Sequence, residues 1–129
     1  MSAAITILFV DDDVMFQDLV RYSLARDSRF RMECVLSGSE ALERLSHPGI
    51  DVILSDVMMP QMSGPDLLAA VRRQPGTKEL PFIFMTAAAM SLKREDLTEL
   101  GLLGVISKPF DPTDLAGQIS RMIGLDADV

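Results

Sequence analysis

Ile5-Thr6-Ile7-Leu8-Phe9-Val10-Asp11-Asp12-Asp13 is a largely apolar six-residue run that ends directly in three acids. A short run rich in β-branched and aromatic residues reads as a strand covered on both faces, as in a parallel sheet. Its acidic end is electrostatically awkward. At an effective dielectric of about 20, two like unit charges about 4 Å apart repel by roughly 4 kcal/mol. Carboxylates crowd together at such a junction when they splay into water, take up protons or share a cation.

Two further runs end the same way: 50–55 (IDVILS) leads into Asp56, and 104–107 (GVIS) leads into Lys108. The carboxyl ends of parallel strands lie along one edge of the sheet, where open α/β folds bind their ligands. The acids and the lysine are therefore expected to meet there. Strand candidates at 5–10, 31–36, 50–55, 81–86 and 104–107 alternate with helical patterns. Phe16, Leu19, Val20 and Leu24 mark the first helix. Ser37 with Glu40 predicts a capping box for the second, and Ser63 with Asp66 predicts one for the third. A thin stripe of Leu92, Leu97 and Leu100 marks a fourth at roughly 91–101. Asp111-Pro112 predicts an N-cap and first turn before Leu115, Ile119 and Met122. This alternation implies right-handed βαβ crossovers and a single α/β domain, a doubly wound (βα)5 fold with a five-stranded parallel sheet and five helices. The second run alternates in polarity at first, which suits a strand nearer an edge.

The 129 residues make one domain with room for a sizeable core. At 48% hydrophobic and 24% charged, the composition is that of a globular chain. The net charge of −7, with no basic run longer than two residues, argues against direct nucleic-acid binding. Cys34 is the only cysteine, which excludes an intrachain disulfide; its place in a strand predicts a buried, inert thiol. No signal peptide is visible and no apolar run approaches the roughly 20 residues of a membrane span, so the cytoplasm is the expected compartment. His47, beside Pro48-Gly49, reads as a loop residue, and the 9 methionines read as core filling.

Together the strand ends offer Asp11, Asp12, Asp56, Thr86 and Lys108. An oxygen-only donor set favours Mg²⁺, with Mn²⁺ as the alternative, and a single histidine leaves no zinc site. A carboxylate held beside such an ion can attack a phosphoryl group to give an acyl phosphate. A lysine and a hydroxyl would neutralise and orient the equatorial oxygens.

Four pieces of the chain carry a family likeness: Val10-Asp11-Asp12, the run from Ser55 to Gly64 (SDVMMPQMSG), Met85-Thr86-Ala87 and Lys108-Pro109-Phe110. In this order, each at a strand end, they resemble the receiver domain of bacterial two-component response regulators, a flavodoxin-like fold. The likeness extends along nearly the whole chain, 1–129 with a core of about 5–123, and leaves no output domain within it. It implies that Asp56 is the phosphoacceptor, that Asp12 holds Mg²⁺ directly and Asp11 largely through water, and that the backbone carbonyl of Met58 is a further ligand. Thr86 and Lys108 would contact the phosphoryl group, and the Lys108-Pro109 bond would be cis and help aim the lysine. The implied partners are a sensor histidine kinase or histidine phosphotransfer protein, and downstream an output domain or target protein. The responding surface, which a homodimer would also use, is 91–123. The implied activity is that of a signalling switch rather than a turnover enzyme.

Two departures qualify the likeness. Val105 stands where the family often has an aromatic ring whose rotamer reports phosphorylation. Met58 and Ala88 flank the expected phosphosite without a group that could hold an attacking water, which predicts slow self-dephosphorylation. Against this reading stands an acid-nucleophile hydrolase of the haloacid dehalogenase type, with Asp11-x-Asp13 as its motif. It places Met15 where threonine or valine is usual and leaves Asp56 unexplained. A receiver-like module that is never phosphorylated is a further alternative. The lack of a Gly-rich loop after the first strand argues against a dinucleotide-binding protein.

Overall fold

The computed structural model describes residues 4–87 and 94–125, with the backbone alone for 94–96. Five strands, β1 (Ile5–Val10), β2 (Phe30–Val35), β3 (Val52–Asp56), β4 (Phe82–Thr86) and β5 (Leu102–Ser107), alternate with five helices. The helices are α1 (Val14–Ala25), α2 (Gly38–Leu45), α3 (Gly64–Arg73), α4 (Arg94–Glu99) and α5 (Leu115–Met122). All strand pairings are parallel, in the order β2-β1-β3-β4-β5. This is the doubly wound, flavodoxin-like arrangement expected from the alternation, with β2 at one edge and β5 at the other.

Strand period two sends alternate residues to opposite faces. Leu8, Val10, Ile53, Phe82 and Phe84 pack on one side with Ala41 of α2, Leu67, Leu68 and Val71 of α3 and Leu97 of α4. Ile7, Phe9, Leu54, Ile83 and Met85 pack on the other with Val20 and Leu24 of α1 and Leu115 and Ile119 of α5. The sheet is thus sandwiched, and the strand ends converge at one rim.

Several boundaries differ from the expected ones, each for a local reason. β3 begins at Val52 because Asp51 turns back on β1: its carboxylate accepts from the Thr6 N–H at 2.8 Å. β5 starts two residues early, and its pairing with β4 skips Leu103, which bulges outward with its side chain exposed. Ser63 and Asp66 form the full reciprocal capping box. Ser37 caps Glu40 as expected, but the Glu40 carboxylate takes the Leu36 N–H instead of that of Ser37. Asp111 does not cap α5; its carboxylate closes a turn onto the Thr113 N–H and hydroxyl, and the helix starts only at Leu115. Leu19 faces solvent, and the buried face of α1 instead holds Gln17, Val20, Ser23 and Leu24. Cys34 is half-buried rather than buried, with burial pushing its thiol pKa up. Leu92, expected in the fourth helix, and Ala88 lie outside the described residues. Among the described residues, no helix is long and apolar enough to cross a membrane.

Candidate functional site

β1 ends at Val10, so Asp11 and Asp12 leave the sheet in succession and point to different environments. Asp11 is wholly buried and Asp12 is exposed. Asp13 caps α1, its carboxylate accepting from the Met15 and Phe16 N–H groups. The Asp11 backbone is tied down by its N–H to Val35 O and by the buried Gln17 amide, which donates to Asp11 O at 2.9 Å and Val35 O at 2.8 Å. The Asp11 carboxylate accepts from the Asp13 N–H at 2.9 Å.

Asp56 closes β3, and one carboxylate oxygen accepts from the Val57 N–H at 2.7 Å. Its other oxygen lies 3.4 Å from Lys108 Nζ, and the same ammonium sits 3.2 Å from Asp11 Oδ2. Residues 11, 56 and 108, far apart in sequence, thus share one cation. Carboxylate oxygens of Asp11, Asp12 and Asp56 all lie within 4.8 Å of one another. That spacing, with oxygen donors alone, fits a hard divalent ion. Burial pushes the Asp11 carboxyl above its ordinary 3.8, and the Asp56 charge adds to this. The Asp13 N–H and the Lys108 ammonium pull the other way. A divalent cation would relieve the same crowding.

Thr86 closes β4 one residue beyond Met85, the register partner of Asp56, and is buried. Its carbonyl accepts the Lys108 N–H at 2.9 Å, linking the ends of β4 and β5. The Lys108-Pro109 bond is cis. Met58 stands in the loop after β3 and is 72% exposed. Val105 is partly buried against the core shared by α2, α3 and α4.

Three contributors were not assigned roles in the sequence. Gln17 was hidden because a polar residue inside an apolar helix face carries no motif, although a glutamine between Phe16 and Val20 on a short helix is a usable signal. Gly64 allows α3 to approach β3: an added Cβ would lie 2.5 Å from Asp56 O and 2.9 Å from Val57 Cα. Phe16, read only as a helix marker, lies with its ring centroid 4.1 Å from Lys108 Nζ.

A family model for the response regulator receiver domain matches residues 7–120. The probable transcriptional regulator ycf29 of Pyropia yezoensis is 32% identical over 120 residues, covering 93% of this chain and 54% of that protein. The chain spans about half the length of several curated relatives it matches. The chemotaxis response regulator CheY4 of Vibrio cholerae superposes with a TM-score of 0.84 at 31% identity, covering 93% of this chain and 99% of that one. The receiver domain of the sensor histidine kinase PA1611 from Pseudomonas aeruginosa PAO1, solved with a magnesium ion coordinated in its active site cleft, superposes with a TM-score of 0.81. It is 29% identical, and the match covers 95% of this chain and 99% of that one.

Proposed function

The chain belongs to the response regulator receiver domain family, and from that premise we propose that it is a phosphorylation-driven switch with Asp56 as its phosphoacceptor. The observation that carries this reading is the single ammonium of Lys108 spanning Asp11 and Asp56, with Asp12 alongside, at three converging strand ends. Asp56 Oδ attacks phosphorus in line as the donor's P–N or P–O bond breaks; the electron pair, and then a proton, go to the leaving group. The donor is a histidine kinase, a phosphotransfer protein or a small acyl phosphate. Asp11, Asp12, Asp56 and the Met58 carbonyl would hold Mg²⁺, which supplies positive charge to the phosphoryl oxygens. The Lys108 ammonium neutralises the remaining oxygens, and the Thr86 hydroxyl donates a hydrogen bond that orients them.

Turning a two-state equilibrium from 1:99 to 99:1 takes roughly 5.5 kcal/mol of differential binding. One hydrogen bond to a charged group supplies about 1.5–3 kcal/mol. Thr86, Lys108 and the metal must therefore act together on the 91–123 surface, which contacts an output domain, a target protein or a second copy. Val105 has no ring to turn inward, so movement of Thr86 carries the change. We place the receiver unit at 1–129, its core at about 5–123, and its work in the cytoplasm as a signalling domain rather than a turnover enzyme.

The test is mass mapping after phosphorylation by a small donor with Mg²⁺ and borohydride trapping. Label on Asp56, lost in Asp56→Asn, supports the reading; label on Asp11 would make the protein a hydrolase of the alternative type. The exposed Met58 side chain offers an attacking water nothing to bond, whereas an asparagine amide would orient one, so Met58→Asn should shorten the phosphoryl lifetime. An unchanged lifetime removes the expectation of slow self-dephosphorylation.

A further inference from the structure

Lys108 has a third contact beyond its two carboxylates. Its Nζ lies 4.1 Å from the centroid of the Phe16 ring, well within the roughly 6 Å over which a cation is drawn to an aromatic face. The ring is held on two sides. Phe110 meets it edge-on at 5.7 Å with planes at 85°, and Phe9 of β1 lies 6.1 Å away at 48°. At its backbone, the Phe16 N–H is pinned to the Asp13 carboxylate at 3.2 Å. Three rings from β1, α1 and the segment after β5 thus make a fixed wall beside a lysine that is only 20% exposed. Core packing accounts for the partial burial of Phe16, but an aliphatic side chain packed there would offer the ammonium no ring face.

We propose that Phe16 is a positioning residue whose ring face holds the Lys108 ammonium over the Asp11–Asp56 pair. This rests on the phosphoacceptor reading and deepens it. Both carboxylates that hold Lys108 are the groups that reading assigns to metal and phosphoryl binding, so both contacts change during the reaction. Of the three described contacts, the ring alone keeps its chemistry throughout. It fixes where the ammonium sits when Asp11 and Asp56 are otherwise engaged, so that Lys108 does not swing out into water. The residue acts through Lys108 and touches no reacting atom.

The experiment replaces Phe16 in the full chain with mono-, di- and trifluorophenylalanine, near-isosteric rings of progressively weaker negative face. Phe16→Leu and Phe16→Tyr serve as the aliphatic and conservative variants. Two readouts are taken: the ring-current displacement of the Lys108 Cε protons by NMR, with and without MgCl₂, and the rate of Asp56 phosphorylation by a small donor. The Cε resonances should lie upfield in the parent and in Phe16→Tyr, keep that displacement in MgCl₂, and lose it in Phe16→Leu. The rate should fall stepwise with fluorination, by about three- to tenfold in all, while the same series at Phe9 stays flat. A rate indifferent to fluorination at position 16, or Cε resonances that do not respond to Phe16→Leu, overturns the proposal. Absence of any phosphorylation in the unmodified chain sinks the parent reading instead, and the NMR displacement still decides the contact between ring and ammonium.

Discussion

Replacing each of three glycines by alanine adds one methyl to three different surroundings, and the structure ranks the outcomes. At Gly64 the new Cβ would sit 2.5 Å from Asp56 O, 2.8 Å from Phe84 Cε1 and 2.9 Å from Val57 Cα. Two of those neighbours are backbone and the third is a fully buried ring, so either the start of α3 or the end of β3 must shift. Overpacking of this kind costs about 1–3 kcal/mol, and the better helix propensity of alanine returns at most about 1 kcal/mol. A net loss of about 2 kcal/mol, with a urea slope of about 2 kcal/mol/M, lowers the unfolding midpoint by about 1 M. At Gly38 the closest atoms, at 2.5 and 3.0 Å, are Met62 Sδ and Cγ, on a flexible side chain that can turn aside. Gly38→Ala should cost under about 1 kcal/mol. Gly76 has nothing within 4 Å and no positive φ, so Gly76→Ala should be neutral or stabilise by up to about 1 kcal/mol. Urea denaturation of the three variants with a common slope checks the order. Because the Gly64 shift falls on Asp56, that variant should also show the weakest Mg²⁺ binding of the three. A Gly64→Ala midpoint within error of that of Gly76→Ala would refute the reasoning.

In the metal-free protein, Asp11→Asn should raise stability near neutral pH while weakening Mg²⁺ binding. The folded-state pKa of Asp11 is raised above 3.8, so the folded protein binds that proton more readily than the unfolded chain. The ionised carboxylate therefore costs stability above the raised value, and the advantage of asparagine should fade as pH falls through it toward 3.8; calorimetry across that window gives the sign. Gln17→Leu removes the side-chain donor to Asp11 O and Val35 O, of which Val35 O keeps the Asp11 N–H, and should cost about 2 kcal/mol in a urea titration. Arg72 donates to Leu100 O, Gly101 O and Thr77 O, holding α3 to the corner between α4 and β5. Arg72→Ala should lose about 1–3 kcal/mol, and Arg72→Lys should recover little, because one ammonium cannot span the same carbonyls as the planar fork.

Five-fold alternation was legible because β1, β3 and β4, buried nearly throughout, read as largely apolar runs, and because the acids at 11, 12 and 56 and the lysine at 108 directly follow strand runs. Their convergence followed from parallel topology alone, and their spacing agrees with it. What stayed hidden depends on partners distant in sequence. Asp111 carries every local mark of an N-cap, yet Thr113 competes for its carboxylate and delays α5. The skipped Leu103 reflects how β5 meets β4, and a single strand's pattern cannot encode that. Gln17, Gly64 and Phe16 matter only through what the folded chain brings against them. The roles proposed for Thr86 and Met58 rest on family likeness, since neither residue type announces its chemistry by itself.

Lys108 directly follows β5, at the sheet margin farthest from β2. During synthesis from the amino end, the carboxylates at 11, 12 and 56 emerge well before the ammonium that joins them. A chain without β5 and the residues after it holds those carboxylates without the Lys108 ammonium. On the proposed function, competence to take up a phosphoryl group is thereby tied to completion of the sheet.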